Sequence, residues 1–205
     1  VELVDNAPVT TVKGLSDLID SENLTTDGSK GITPAEQLVV YNNGSVSMTF
    51  IVKSLDAVPT NENAIDALAQ GSDKELGLFL DLTVEKKITD SNNHVTTNLL
   101  TETSKLMVAE IDLTEEQQHH VGYVVYRYHD NKVDTISDSG NGEHFEISAD
   151  GKKLILYVNK FSTYVLGWSN STEGETAKTA KTAAKQKIDF AAQELKAIID
   201  SLENL

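Results

Sequence analysis

The stretch EHFEISADGKKLILYVNKFSTYVLGW, Glu143–Trp168, decides the fold class. Phe145 and Ile147 alternate with Glu146 and Ser148, and Leu154, Leu156 and Val158 alternate with Ile155 and Tyr157. Residues two apart on a strand share a face, so each run gives a sheet one apolar side. Asp150-Gly151 between the runs predicts a β-hairpin, because glycine accepts the positive φ of a tight turn. A further run ends on the only tryptophan, Trp168, and the composition changes after it.

Working upstream, the alternation recurs. In LGLFLDLTVEKKI the residues Leu76, Leu78, Leu80, Leu82 and Val84 hold strict period two, the cleanest strand signal in the chain. Val95–Leu99 pairs back across Ser91-Asn92-Asn93. Gly44–Ser54 alternates Val46, Met48, Phe50 and Val52 with polar neighbours, and Leu38–Tyr41 is expected to pair with it across Asn42-Asn43-Gly44. Lys105–Leu113, the aromatic-rich Tyr123–His129, and Val133–Ile136 beyond a turn at Asp130-Asn131 complete the set. Val1–Thr11 is an expected edge strand, because Pro8 cannot donate to a ladder.

Two short helices interrupt the strands. Gly14–Asp20 places Leu15, Leu18 and Ile19 at one-turn spacing, and Asn61–Gln70 carries an Ile65, Leu68, Ala69 stripe. Thr60 or Asn61 can cap its start, and Gly71 closes it. Ser21–Gly31 and Ser137–Glu143 read as loops, and Thr114–His120 as a polar turn. Many strands separated by turn signals predict a mainly β fold: an antiparallel β-sandwich with one or two short helices over residues 1–168, a closed barrel being the alternative.

Residues 169–205 differ. A Thr/Ala/Lys linker leads into a segment where Ile188, Leu195 and Leu202 recur every seven residues, as do Ala191, Ile198 and Leu205. Heptad spacing predicts a C-terminal α-helix with a coiled-coil seam through which the chain can self-associate. A lone helix packed on the sandwich is the alternative. The closing Glu203-Asn204-Leu205 resembles the first half of a common engineered protease site, so part of this segment is expected to be an addition to the natural chain.

Length allows one large all-β domain or two small ones, with a real core. Lys and Arg total 17 against 32 Asp and Glu, a formal charge of −15. So acidic a surface repels phosphate backbones, which argues against nucleic acid and anionic lipid as partners. There is no cysteine, which excludes disulfide stapling and thiolate metal sites. No apolar run approaches the ~20 residues that span a bilayer, so no direct membrane insertion is expected.

Between Gly77 and Trp168 the motifs GLFLDLTVEKKI, VAEIDLTEE, YVVYRYHDNKV and KLILYVNKFSTYVLGW, in that order, resemble a β-sandwich module of Firmicute cell-surface, adhesin-like multidomain proteins. That family runs L-x-L-D-L/I ending in K-K, an I-x-I-P-E-like segment, V-x-R-x-H-D-G, and an F-S-T-Y-A-like strand that often precedes a wall-anchoring segment. Leu80, Asp81 and Leu82 match the first motif, Arg127, His129 and Asp130 the third, and Phe161, Ser162, Thr163 and Tyr164 the last. The chain departs from it at Thr114-Glu115, where the family has Pro-Glu, and at Asn131, where it has Gly. The resemblance implies an extracellular, Gram-positive wall-associated module whose partners are neighbouring domains or a protein ligand. It implies no catalytic residue and no cofactor.

Individual residues suggest further chemistry. Glu116 and His120 would share one face of a helical turn and could hold zinc with a third ligand; a solvated polar turn is the ordinary alternative. Arg127, His129 and Asp130 form a trio that could sense pH, or simply a strand end with local hydrogen bonds. Asp138, Asn141 and Glu143 make an oxygen-rich loop that could take calcium, although their spacing is not that of an EF-hand. Tyr126 and Tyr128, same-face neighbours facing opposite to Val125 and Arg127, could join Trp168 as a sugar-stacking platform; core packing explains aromatics equally well. Lys53 and Asn159 are partners for an internal isopeptide bond. The first expectation is a non-catalytic structural or adhesive module, the second a carbohydrate-binding module; an enzyme ranks last, with no recognised nucleophile or phosphate-binding motif.

Overall fold

The computed structural model describes residues 1–59 and 63–169. In chain order these form β1 (Glu2–Val4), β2 (Thr10–Lys13), α1 (Pro34–Tyr41), β3 (Ser45–Ser54), α2 (Ala64–Gly71), β4 (Lys74–Thr89) and β5 (Val95–Leu100). There follow β6 (Glu102–Asp112), β7 (Val124–His129), β8 (Lys132–Ile136), β9 (His144–Ile147), β10 (Lys153–Lys160) and β11 (Thr163–Ser169). The protein is mainly β. Its strands form a seven-stranded sheet, β1-β3-β4-β11-β7-β8 with β5 also on β4, and a four-stranded sheet, β2-β6-β10-β9.

The sixteen residues of β4 are the spine of the larger sheet. β3 lies along one side of it, from Ser45↔Thr89 to Ser54↔Leu80. β11 and β5 share the other side: β11 covers Lys74 to Asp81, and β5 covers Val84 to Thr89. Leu78, Leu80, Leu82 and Val84 fall on one buried face, as their alternation requires. They meet Met107, Ala109 and Ile111 of β6 and Leu154, Leu156 and Val158 of β10 in one core between the sheets. Each such side chain contributes about 2 kcal/mol by leaving water.

A second apolar cluster covers the opposite face of the larger sheet. Ile65 and Ala69 of α2 pack with Tyr126, Val165, Leu76 and Phe79. Both faces of β7 and β11 are therefore covered, and Thr163 through Trp168 are buried without a break. The alternation in β4 slips at Gly77: Leu166 pairs with Leu78, but Gly167 pairs with Leu76. This bulge turns Leu76 toward α2 while Leu78 stays in the core.

Several expectations hold. The β9–β10 hairpin turns at Asp150-Gly151, with Gly151 at φ 74. Asp130 and Asn131, at φ 49 and 60, make the β7–β8 turn. Gly14–Asp20 becomes a single 3₁₀ turn, Ser16–Ile19, with Leu18 buried. Others are corrected. Leu38–Tyr41 is not a strand: it is the second half of α1. Thr33 caps that helix by accepting from the Glu36 amide, Glu36 accepts from the Thr33 amide, and Pro34 occupies the first turn. Asn42-Asn43-Gly44 is accordingly a helix end, with Asn43 at φ 66 and the Gly44 amide donating to Val39 O at 2.9 Å. Val1–Thr11 is split by Asp5, Asn6 and Pro8 into β1 and β2, which belong to different sheets. β1 also runs parallel to β3, so the pairing is not wholly antiparallel.

Thr60 and Asn61, the expected caps of α2, lie outside the described residues, as do the heptad positions Ile188, Ala191, Leu195, Ile198, Leu202 and Leu205. Among the described residues no helix is long and apolar enough to cross a membrane.

Candidate functional site: an arginine clasp between the sheets

Arg127 sits on the core side of β7, its side chain only 2% exposed. Its neighbours explain how a guanidinium can stand there. Nη2 donates to Asp134 of the adjacent β8 at 2.7 Å, and Nη1 donates to Glu143 at 2.6 Å and to the Tyr164 hydroxyl at 3.4 Å. The guanidinium also lies 6.0 Å from the centre of the Tyr164 ring. Glu143 does more than neutralise it. The same Oε1 accepts the backbone amides of Asn159 and Lys160, at 3.1 and 3.3 Å. β7 belongs to the larger sheet and β10 to the smaller, so this carboxylate ties one to the other. Tyr164 adds a second tie by donating to Lys160 O.

The electrostatics follow from burial and pairing. Burial works against the Arg127 charge, but Glu143, Tyr164 and Asp134 outweigh it and hold the group above its ordinary range. Hydrogen bonding from Arg127 holds Asp134 below the usual carboxylate range. Tyr164 is pushed up by burial, with the Arg127 charge opposing. Among the described residues Arg127 Nε is buried without a hydrogen-bond partner. The arrangement is an ion cluster that pairs both terminal guanidinium nitrogens, and its chemistry is that of a tether.

A second cation is buried at the far end of β4. Lys86, 1% exposed, donates to Gly28 O at 2.7 Å, Gly31 O at 2.9 Å and Glu36 Oε1 at 2.7 Å. It fastens the loop before α1, and the first turn of α1, to the sheet.

The residues singled out from the sequence are dispersed by the fold. Tyr126 and Tyr128 do share a face, but Tyr126 is 3% exposed beneath α2 and Trp168 is 5% exposed in the other cluster. These three therefore form no common platform. Trp168 stacks on His120 with ring centroids 4.3 Å apart and is met edge-on by Tyr123. The His120 ring nitrogen meets the backbone carbonyl of Glu116 at 2.6 Å and the ring stacks on Trp168, so the imidazole and the Glu116 carboxylate are not paired as a zinc site. Glu143 turns inward to Arg127, while Asp138 and Asn141 stay on the exposed loop, so the three candidate calcium ligands are not brought together. Among the described residues no three His, Asp or Glu side chains converge as a metal site. His129 is buried beside Arg127 with exposed Asp130 at 3.5 Å. Lys53 pairs with Asp5 at 3.5 Å on the larger sheet, and Asn159 donates to Thr103 O on the smaller. Lys53 follows the buried Val52 and so points away from the core, its side chain 47% exposed, which separates it from Asn159 on the other sheet and removes the isopeptide pairing.

Sequence reasoning missed the Arg127 and Lys86 clasps. The available signal was period: each basic residue continues a buried alternation, after Val125 and after Val84 respectively.

No protein-family model, no curated protein and no solved structure matches this chain. The fold and the site define the class: a mainly β protein of two sheets about a common core, tied together by one buried ion cluster at Arg127.

Proposed function

We propose that this chain is a non-catalytic, extracellular structural or adhesive module of a bacterial surface protein, acting as a spacer or a protein-interaction domain. The observation that carries the reading is the course of the chain through the larger sheet. β1 is parallel to β3, and both β3 and β11 are antiparallel to β4, so β1 and β11 run the same way. Glu2 lies level with Thr83 of β4 and Ser169 with Lys74, nine residues apart, or about 30 Å along the strands. The last strand therefore ends about 30 Å further along the sheet than the first begins, and an offset of that kind lengthens whatever chain the body interrupts. The Arg127 clasp fits the same role, because a spacer needs sheets that do not part. The sugar-binding alternative loses its platform with the burial of Tyr126 and Trp168.

The test inserts the whole chain between a wall-anchored base and an epitope on a Gram-positive cell. The epitope is expected to gain antibody accessibility over a direct fusion, and spin labels at residues 2 and 169 of the purified chain are expected about 30 Å apart. Unchanged accessibility, or saturable binding on a glycan array that Tyr128→Ala abolishes, would overturn the proposal.

A further inference from the structure

β5 presents a bare edge. It reads VTTNLL, without charge or proline, and among the described residues nothing pairs with its outer side. Val95 and Leu99 are 47% and 62% exposed. Unpaired strand edges template further strands, and proteins usually blunt them by shortness, charge or proline. The other edge strands carry such devices. β1 has three residues, β2 has four and carries Lys13, β8 carries Lys132 and Asp134, and β9 has four with Glu146. β3 is uncovered beyond β1, but its outward side chains there are Ser45, Ser47 and Thr49, with nothing apolar to bury.

The hydrogen-bond phase of β5 is fixed. The Asp90 amide donates to His94 O, so the alternation directs the backbone groups of Thr96, Asn98 and Leu100 toward β4. Those of Val95, Thr97 and Leu99 point outward, as does Thr101 O, which accepts the Phe161 amide. These same three residues carry their side chains on the face opposite the core, since Leu100 is buried. One antiparallel register satisfies everything at once. Centred on Thr97, it sets Val95 against Leu99 of a second copy, Thr97 against Thr97, and Thr96 against Asn98. Apolar meets apolar on the outer face, polar meets polar on the inner, and each outward N–H finds a carbonyl.

We infer that two copies of this chain associate edge to edge through β5, about a two-fold axis at Thr97, extending the larger sheet across the pair. The copies then point in opposite directions, as modules displayed on two facing surfaces would; that consequence rests on the surface-module reading, whereas the pairing does not. Six residues of edge make a small interface, so association is weak and concentration-dependent.

The full chain has no cysteine, which makes cross-linking clean. Hydrogen-bonded antiparallel residues have Cα atoms about 5.5 Å apart, within disulfide reach. Thr97→Cys is expected to form disulfide dimers about tenfold faster than Ser47→Cys, whose residue is also exposed, on β3. Wild-type chain at about 100 µM should sediment with dimer present. Val95→Lys with Leu99→Lys, which sets like charges opposite each other across the axis, should be monomeric with an unchanged far-ultraviolet spectrum, and Leu195→Glu in the heptad seam should leave the dimer intact. Equal cross-linking rates, a monomeric wild type, or a dimer that survives the double lysine variant but not Leu195→Glu would overturn the inference.

Discussion

Glu143→Ala should be among the most damaging single substitutions in this protein. The carboxylate oxygen it removes accepts from Arg127 Nη1 and from the amides of Asn159 and Lys160. A hydrogen bond to a charged group contributes roughly 1.5–3 kcal/mol and each amide bond about 1 kcal/mol, so the direct loss is about 4 kcal/mol. That agrees with the roughly 3–5 kcal/mol lost when one partner of a buried ion pair is deleted. Asp134 is 44% exposed and already committed to Nη2, so it cannot take over Nη1 as well. Against a total stability of about 5–15 kcal/mol this is a large fraction. The assay is urea denaturation in a cycle with Arg127→Met. With the guanidinium gone, no stranded charge remains, and Glu143→Ala should then cost only about 2 kcal/mol for the two amides. A coupling of about 2 kcal/mol is therefore expected. A loss below about 1 kcal/mol in the wild-type background, or a coupling within the ~0.5 kcal/mol of additive sites, would show that the clasp is ornamental.

Substitutions at three further positions probe other parts of the fold. At Gly77 an added Cβ would land inside the Trp168 ring, so Gly77→Ala should cost about 3 kcal/mol by overpacking, and a Trp fluorescence maximum that stays blue in the folded state, with unchanged urea midpoint, would contradict this. Glu36 is raised by burial but lowered more by Lys86 and the Thr33 amide, so its folded pKa lies below the unfolded value of about 4.3. Its contribution is present above that value and fades as pH falls through the folded pKa; the stability gap to Glu36→Gln, about 2 kcal/mol at pH 7, should close in acid, and a gap constant to pH 3 would refute the pairing. Asn131 stands at φ 60, so Asn131→Gly should be stabilising by about 0.5 kcal/mol and Asn131→Val destabilising by more than 1 kcal/mol in thermal melts; equal melting temperatures would deny the left-handed turn.

Strand positions were legible where a strand has one wet face. β4, β6 and β10 each alternate core residues with half-exposed ones, and their registers follow the pattern seen in Leu78 to Val84 and Leu154 to Val158. Legibility failed where packing is nonlocal. α2 covers the outside of β7, so Tyr126 is as buried as Val125, and no period in YVVYRYH can tell a core tyrosine from a platform tyrosine. Leu38–Tyr41 failed for a local reason. Three consecutive Leu and Val residues suit a strand, but Thr33, Pro34 and Glu36 already spelled a capped helix start, and the start outweighs propensity. That β11 would pair with β4 and β7, rather than continue the β9–β10 sheet, is a matter of chain crossing that no short window contains.

The two buried cations have a common logic that bears on the acidic composition. Lysine and arginine stems can lie along apolar surface while their heads reach its margin, which short carboxylates cannot do. Lys86 and Arg127 each follow a core valine, Val84 and Val125, at places where the two-sheet core gives way to irregular chain. Each head collects loop partners that have no ladder of their own: Gly28 O and Gly31 O at one end, and Glu143, the last residue of the Ser137–Glu143 loop, at the other. The acids that answer them, Glu36, Asp134 and Glu143, approach from the rim, where each keeps part of its surface in water and is cheaper to hold charged. Two cations are thus set inside, fixing loops to sheets, while the net negative charge of the chain works to keep neighbouring molecules apart. The edge of β5 carries no charged side chain, so a second copy of that strand meets no like charge on it.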